Sequence, residues 1–413
     1  MAGHPHSGDG AGFVAVVGPL VVRVVRVEHK ARLTVPVFDV AGWFAALGPR
    51  VRAAVASEPG RGFVEILFGF ADRAFHRCRN CGGHVLPLSD TFSIPHIEGV
   101  SLPDIHAYAT RPHYAAHLIP IVNELEARGH NIIRSTVNGQ MPDPGELCLV
   151  ASGADMATIP GRRIIYVEHG AGQTYNGFTG PGYPGGTGHD DVVLFVCPND
   201  TVADKWTTTY PDTETVVAGC PMLDRWHTLA AELPDPARPV IAVTFHWPSS
   251  LCEETMTAWP VYSRAIHNLV EHCLKHGWGL IGHEHPRWET QMLTEWKLLN
   301  IPTASYTDVM NTATLLVADN TSMLPEFAST GRPVMFLNSP GYRRDVNHGC
   351  RFWEWPEGQV SVDEQSGLVP GVIEALEDPQ HVQAARSRMV DSVYAFTDGN
   401  AAERAADAIE GLL

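Results

Sequence analysis

Three short polar runs in this sequence follow directly on apolar runs and carry the residue types needed to move a proton and hold an anion. Glu168-His169-Gly170-Ala171-Gly172 offers an imidazole beside glycines that allow close backbone approach. His283-Glu284-His285-Pro286 offers a second imidazole, and its proline stops a helix from forming through the run. Asp319-Asn320-Thr321-Ser322 precedes a helical pattern near 325–330. Thr321 or Ser322 can cap that helix, with Pro325 tolerated in its first turn. The free N–H groups and positive end of such a helix attract a phosphate without any Lys or Arg. Together the runs offer imidazoles and an anion-holding helix start just beyond three apolar runs.

The elements that must position these runs are legible in the apolar periodicity. From residue 103 short apolar runs alternate with helical patterns, the mark of a parallel sheet with crossover helices. Strands are expected at 105–110, 131–137, 147–151, 163–168, 192–197 and 214–218, with helices at 118–127 and 201–210. Three prolines between 234 and 239 form an extended linker. A second series follows, with strands at 240–245, 280–283, 303–306, 315–319 and 334–338, helices at 261–276 and 325–330, and a helical stretch over 380–413. The fold class is therefore α/β, two doubly wound, Rossmann-like domains facing a cleft, and in such sheets ligands bind beyond the carboxyl ends of the strands. The expected boundaries are 1–102 for an N-terminal accessory segment without βαβ rhythm, 103–235 for the first Rossmann-like domain and 236–413 for the second, with its C-terminal helices.

Composition removes several function classes. The chain has 413 residues, 44% of them apolar, and 29 Lys and Arg against 46 Asp and Glu give a net charge of −17. That excludes a sequence-independent grip on nucleic acid as the main function. The apolar run at 13–22 is only half of the about 20 residues a transmembrane helix needs. Met1 to Gly12 lacks the basic start of a secretory signal, and the eight cysteines are scattered, so a cytoplasmic location is expected.

Other residues invite chemistry less strongly. His76, Cys78, Cys81 and His84 form one knuckle of a zinc ribbon without a second Cys-x-x-Cys, and His96 or His106 are further possible ligands. A plain pair of thiols is the expectation. Cys220 reads as packing, and Phe352-Trp353-Glu354-Trp355-Pro356 as a stacking surface or an interdomain contact. No Asp-x-Asp occurs, so a metal-held diphosphate is not expected and no cofactor is required.

The run from His117-Leu118-Ile119-Pro120 to Arg128-Gly129-His130 resembles the first β-α-β of GT-B glycosyltransferases, which place a histidine at the start of that helix. More of the chain resembles the CDP-glycerol glycerophosphotransferase family. Its His-Gly is matched by His169-Gly170, its Gly-x-Pro-x-x-Asp by Gly219, Pro221 and Asp224, and its His-Pro by His285-Pro286. Its Asp-x-Ser-Ser with a following acid is matched by Asp319, Thr321, Ser322 and Glu326, with Arg332-Pro333 beyond. The sequence departs from the family in having Glu168 before His-Gly, Met222 where an arginine is expected, and no arginine after the element at 245–247.

The resemblance implies a GT-B transferase with a nucleotide-linked donor and a hydroxyl acceptor, whether a polymer, a lipid-linked chain or a protein glycan. It implies His169 as base, oriented by Glu168 or a backbone carbonyl, with His117 as rival. Donor contacts fall to His285, Asp319, Thr321, Ser322, Gly170, Gly219 and Pro221, and Glu326 accepts from ribose hydroxyls. The transferred group is glycosyl or glycerophosphoryl. A UDP-sugar 2-epimerase and a binding module of the same fold that has lost its base are the alternatives.

Overall fold

The computed structural model describes residues 13–18, 21–28, 31–32, 103–135, 141–169, 184–229, 238–248, 256–342 and 356–413. The chain divides into two compact units, Met1–His96 and Ile97–Leu413. The described part of the first unit is antiparallel: β1 (Phe13–Gly18), β2 (Val21–Glu28) and β3 (Ala31–Arg32) pair in that order. The Cys/His knuckle at 76–84 lies outside the described residues.

The second unit contains two parallel sheets. The first has β4 (Ile105–Tyr108), β5 (Ile132–Ser135), β6 (Leu147–Val150), β7 (Arg163–Val167), β8 (Val192–Cys197) and β9 (Glu214–Val217), in the order β5-β4-β6-β7-β8-β9. Its helices are α1 (Pro112–Ala127), α2 (Gly153–Met156) and α3 (Asp200–Thr209). After a short helix α4 (Asp224–Thr228), the second sheet has β10 (Val240–Phe245), β11 (Gly279–Glu284), β12 (Leu315–Ala318), β13 (Val334–Leu337) and β14 (Val360–Val362), in the order β11-β10-β12-β13-β14. Helices α5 (Trp259–Tyr262), α6 (Ile266–His276), α7 (Glu289–Leu298), α8 (Tyr306–Thr312), α9 (Met323–Ala328) and α10 (Leu368–Glu377) cover it, and α11 (Gln380–Val393) and α12 (Ala401–Glu410) close the chain. The central strands read as continuous apolar runs because both faces are buried: β6, β12 and β13 are buried at every position.

Several elements differ from the sequence reading, each for a local reason. Helix α1 begins at Pro112, in the first turn where a proline loses no helical hydrogen bond, and runs through Pro120. His117 therefore lies in the second turn, not at the helix start. The helix expected over 261–276 is two helices, α5 and α6. The strand expected at 303–306 reduces to one bridge, Thr303 to Gly282. There Ser305 and Asp308 form a reciprocal capping box that starts α8 instead.

The stretch 380–413 also splits, and its last part leaves the second domain. Ala405, Ala406 and Ile409 of α12 join the core of the first sheet with Ile105, Leu118, Ile121 and Leu125. Asp224 accepts hydrogen bonds from the N–H groups of Ala401 (3.0 Å) and Ala402 (2.7 Å), capping α12 from far away in sequence. Arg128 pairs with Asp407 (2.6 Å) and Glu410 (2.8 Å) at the other end. The chain's last helix thus packs on the first sheet although it follows the second in sequence.

Gly219 serves the same junction. Its φ of +93° is one a side chain rarely adopts, and a Cβ there would lie 3.3 Å from both Ala401 Cβ and the Phe396 carbonyl. Pro221 starts a single 3₁₀ turn, and Cys220, Met222 and Leu223 pack among Met323, Leu324, Phe327 and Tyr394 of the second domain. Gly219 and Pro221, expected at the donor, are thus found where α12 and the two domains join. Cys220 is buried in this cluster, and burial pushes its thiol well above the usual range.

Candidate active site

Parallel strands place their carboxyl ends on one edge of each sheet. A buried carboxylate laces together the loops at each edge. In the first domain Asp155 accepts from the backbone N–H of Thr110 (3.1 Å) and from its hydroxyl. In the second, Asp319 accepts from the N–H of His246 (2.6 Å), the N–H of Ala258 (2.7 Å) and the Thr257 hydroxyl (3.2 Å). Asp319 is fully buried, and burial pushes its carboxyl up to about 7 against these donors. Its oxygens face their own framework, so Asp319 shapes the strand-end loops rather than reaching a donor.

Histidines gather on the framework so formed. From the first domain come His113 and His117, one helical turn apart on α1, and His169 just beyond β7. The rings of His117 and His169 meet edge to face at 5.8 Å, and Tyr114 packs on His169 at 5.3 Å. From the second domain come His246 after β10 and His285 after β11, with ring centroids 5.0 Å apart. Arg287 extends over the Trp247 ring, 5.1 Å from its centroid, and its backbone N–H donates to His285 Nδ1 (3.2 Å). His283 is turned away and donates from Nδ1 to the Ala304 carbonyl (3.0 Å).

The two groups lie within electrostatic reach of one another. Desolvation, then Arg111 and Arg287, depress His113 to about 4. Desolvation, His169 and His113 depress His117 to about 3. Desolvation, His113 and Arg287 depress His169 to about 4, against a backbone hydrogen bond with Ala151. His285 is lowest, about 2, through desolvation and then His246, His113 and Arg287. All four imidazoles are neutral at pH 7, so the titration near neutrality expected of His169 moves well to the acid side. His169 is only partly buried, whereas His117 is 7% exposed; each has a buried Nδ1 without a hydrogen-bond partner.

Glu168 does not orient His169. Neighbouring residues in extended chain point to opposite faces, and Glu168 lies on the far side of the sheet, accepting from Trp206 Nε1 (3.1 Å). Burial raises its carboxyl to about 8. The folded state thus holds a proton that the unfolded chain, with a carboxyl near 4.5, releases. Stability from this group is full below about pH 4.5 and declines as pH rises towards 8. Glu168→Gln keeps a carbonyl acceptor for Trp206 and removes the charge. It is expected to stabilise the fold at pH 8 by on the order of 3 kcal/mol, with little gain at pH 4.5, measured by denaturant unfolding at both values.

Thr321 and Ser322 lie at the end of β12, beside the ends of β10 and β13. The helix they precede, α9, has only six residues. Thr321 Oγ1 receives the Met323 N–H weakly (3.4 Å), and the Ser322 side chain makes no cap. Glu326 is buried in α9 with its carboxylate accepting from the Tyr306 hydroxyl (2.9 Å), and burial raises it to about 7. Arg332 is spent on the Ala313 and Met310 carbonyls and on Thr330 Oγ1. Gly170 and the aromatic run at 352–356 fall outside the described residues, apart from Pro356 at the start of a 3₁₀ turn. His113 and Arg287 were missed by sequence reasoning. The available signals were the i, i+4 spacing of His113 to His117 and the place of Arg287 two residues beyond His285.

The family model for CDP-Glycerol:Poly(glycerophosphate) glycerophosphotransferase matches residues 263–411. No curated protein matches. The solved wall teichoic acid polymerase TagF aligns with a TM-score of 0.51 and 12% identity over 75% of this chain and 88% of that one. A variant of the same polymerase gives 0.53 and 11%, with the same coverage. A putative UDP-N-acetylglucosamine 2-epimerase from Listeria monocytogenes gives 0.48 and 14%, over 76% of this chain and 97% of that one. The fold is thus GT-B, and the resemblance to the glycerophosphotransferases rests on a family-model match as well as on the ordered motifs. No described helix is long and apolar enough to cross a membrane.

Proposed function

We propose that this chain is a GT-B transferase that moves a phosphoryl-linked group, of the glycerophosphoryl kind, from a nucleotide diphosphate donor to an acceptor hydroxyl. One observation carries the choice over glycosyl transfer. Among the described residues, the charged side chains that act on His113, His169 and His285 are Arg111 and Arg287, with no carboxylate among them. Transfer of a sugar passes through a cation-like oxocarbenium centre. Transfer of a phosphoryl group spreads negative charge over phosphate oxygens, which fixed cations and N–H donors stabilise. The family-model match and the TagF fold support the same reading.

In this mechanism the acceptor oxygen attacks the distal phosphorus of the donor and gives its proton to His169. The bond from that phosphorus to the bridging oxygen breaks, and the nucleoside monophosphate leaves. His285 donates from Nε2 to the donor phosphate, because its Nδ1 is held as an acceptor by the Arg287 N–H. Thr321 and Ser322 supply hydroxyl contacts to the same phosphates. The buried imidazoles are poor bases alone, and an anionic donor placed among them raises their proton affinity.

The test is the nucleotide product. Incubation with CDP-glycerol and a poly(glycerophosphate) acceptor, followed by chromatography, is expected to release CMP. Release of a nucleoside diphosphate from a sugar donor, with no CMP from CDP-glycerol, would make glycosyl transfer the correct reading.

A further inference from the structure

We propose that Arg287, laid over Trp247 at the mouth of the cleft, is the donor-diphosphate cation of this chain, supplying from the end of β11 the guanidinium that the sequence lacks after β10. The inference rests on the transferase reading above and names a residue that none of the matched motifs contains. Its first support is position. Arg287 acts electrostatically on His113 and His169 of the first domain and on His285 of the second, so its charge is felt on both sides of the cleft.

Its second support is that, among the described residues, the guanidinium has no carboxylate partner, in a protein where acids outnumber bases 46 to 29. Arg128, Arg134, Arg386 and Arg404, in contrast, are all paired with carboxylates. Its third support is preorganisation. The indole of Trp247 gives the planar guanidinium a platform, which limits the rotamers to be frozen when an anion arrives. Trp247 also lies 6.3 Å from the His285 ring, so platform, cation and imidazole form one cluster. Met222, at the other position where an arginine was expected, is buried in the interdomain core and leaves the phosphate task to this cluster.

Calorimetric titration of the full chain with CDP and with cytidine, for the parent and Arg287→Gln, tests the assignment. Arg287 is exposed, so the variant is expected to unfold at the parental temperature. The substitution should weaken CDP by about 10- to 100-fold, the usual worth of a hydrogen-bonded charge on an ionised group, and leave cytidine affinity unchanged. The parent's loss of CDP affinity between 50 and 200 mM salt should also flatten in the variant. Parental CDP affinity with an unaltered salt response in Arg287→Gln would overturn the assignment of Arg287 alone. A parent that binds no nucleoside diphosphate would overturn the transferase reading along with it.

Discussion

His169→Ala is expected to lose about 10²–10⁴-fold in turnover with donor affinity nearly intact, the usual worth of a positioned proton acceptor. His117→Ala should be far milder. The two rings touch edge to face, but His117 is the more enclosed and backs His169 from α1. The pH dependence separates them further. A base must be neutral to act, and His169 in the free protein is depressed to about 4 by desolvation, His113 and Arg287. The acid limb of kcat/KM should therefore lie near 4, where an unperturbed imidazole would place it near 6.5. That limb should vanish in His169→Ala. Abolished turnover in His117→Ala with near-parental activity in His169→Ala would exchange their roles, and the sugar-transferring branch of the fold would become the better reading.

Asp319→Ala is expected to be the most destabilising change at the strand ends. The carboxylate is fully buried and receives two backbone N–H groups and a hydroxyl. Truncation leaves all three donors unmatched in the core, and removing one side of a buried charged network costs about 3–5 kcal/mol. Because these donors hold His246 and Ala258, the variant should also bind nucleotide more weakly, in proportion to its loss of native population and loop order. Chemical denaturation measures the first effect directly. Parental stability would mean that the carboxyl is dispensable to the framework and would return Asp319 to the list of donor contacts.

Both sheets were legible from residues 103 onward because buried parallel strands are short apolar runs, and linker prolines mark a break wherever they fall. His169, His285 and Thr321 stood out for the same reason: each follows a strand, where a doubly wound sheet binds its ligand. The motif Gly219, Pro221 and Asp224 was visible too, but its meaning was not. Its glycine and aspartate receive α12, which is some 180 residues away in sequence and comes to them only through packing of Ala405, Ala406 and Ile409 on the first sheet. Asp319 looked like a ligand until His246, Thr257 and Ala258, all in the connection between β10 and α5, were found donating to its oxygens. Glu168 looked like a partner for its neighbour His169 until the alternation of extended chain put it against Trp206.

The sequence by itself determined the class of fold, the order of the polar strand ends and the kinds of side chain available for chemistry. All three follow from local periodicity and from residue identity. Only the tertiary structure decided which histidines share a cleft, that each is neutral there, and that Arg287 lies over Trp247 beside His285. Those properties depend on distance and desolvation between segments tens to more than 100 residues apart, and neither quantity is written in the spacing of residues along the chain.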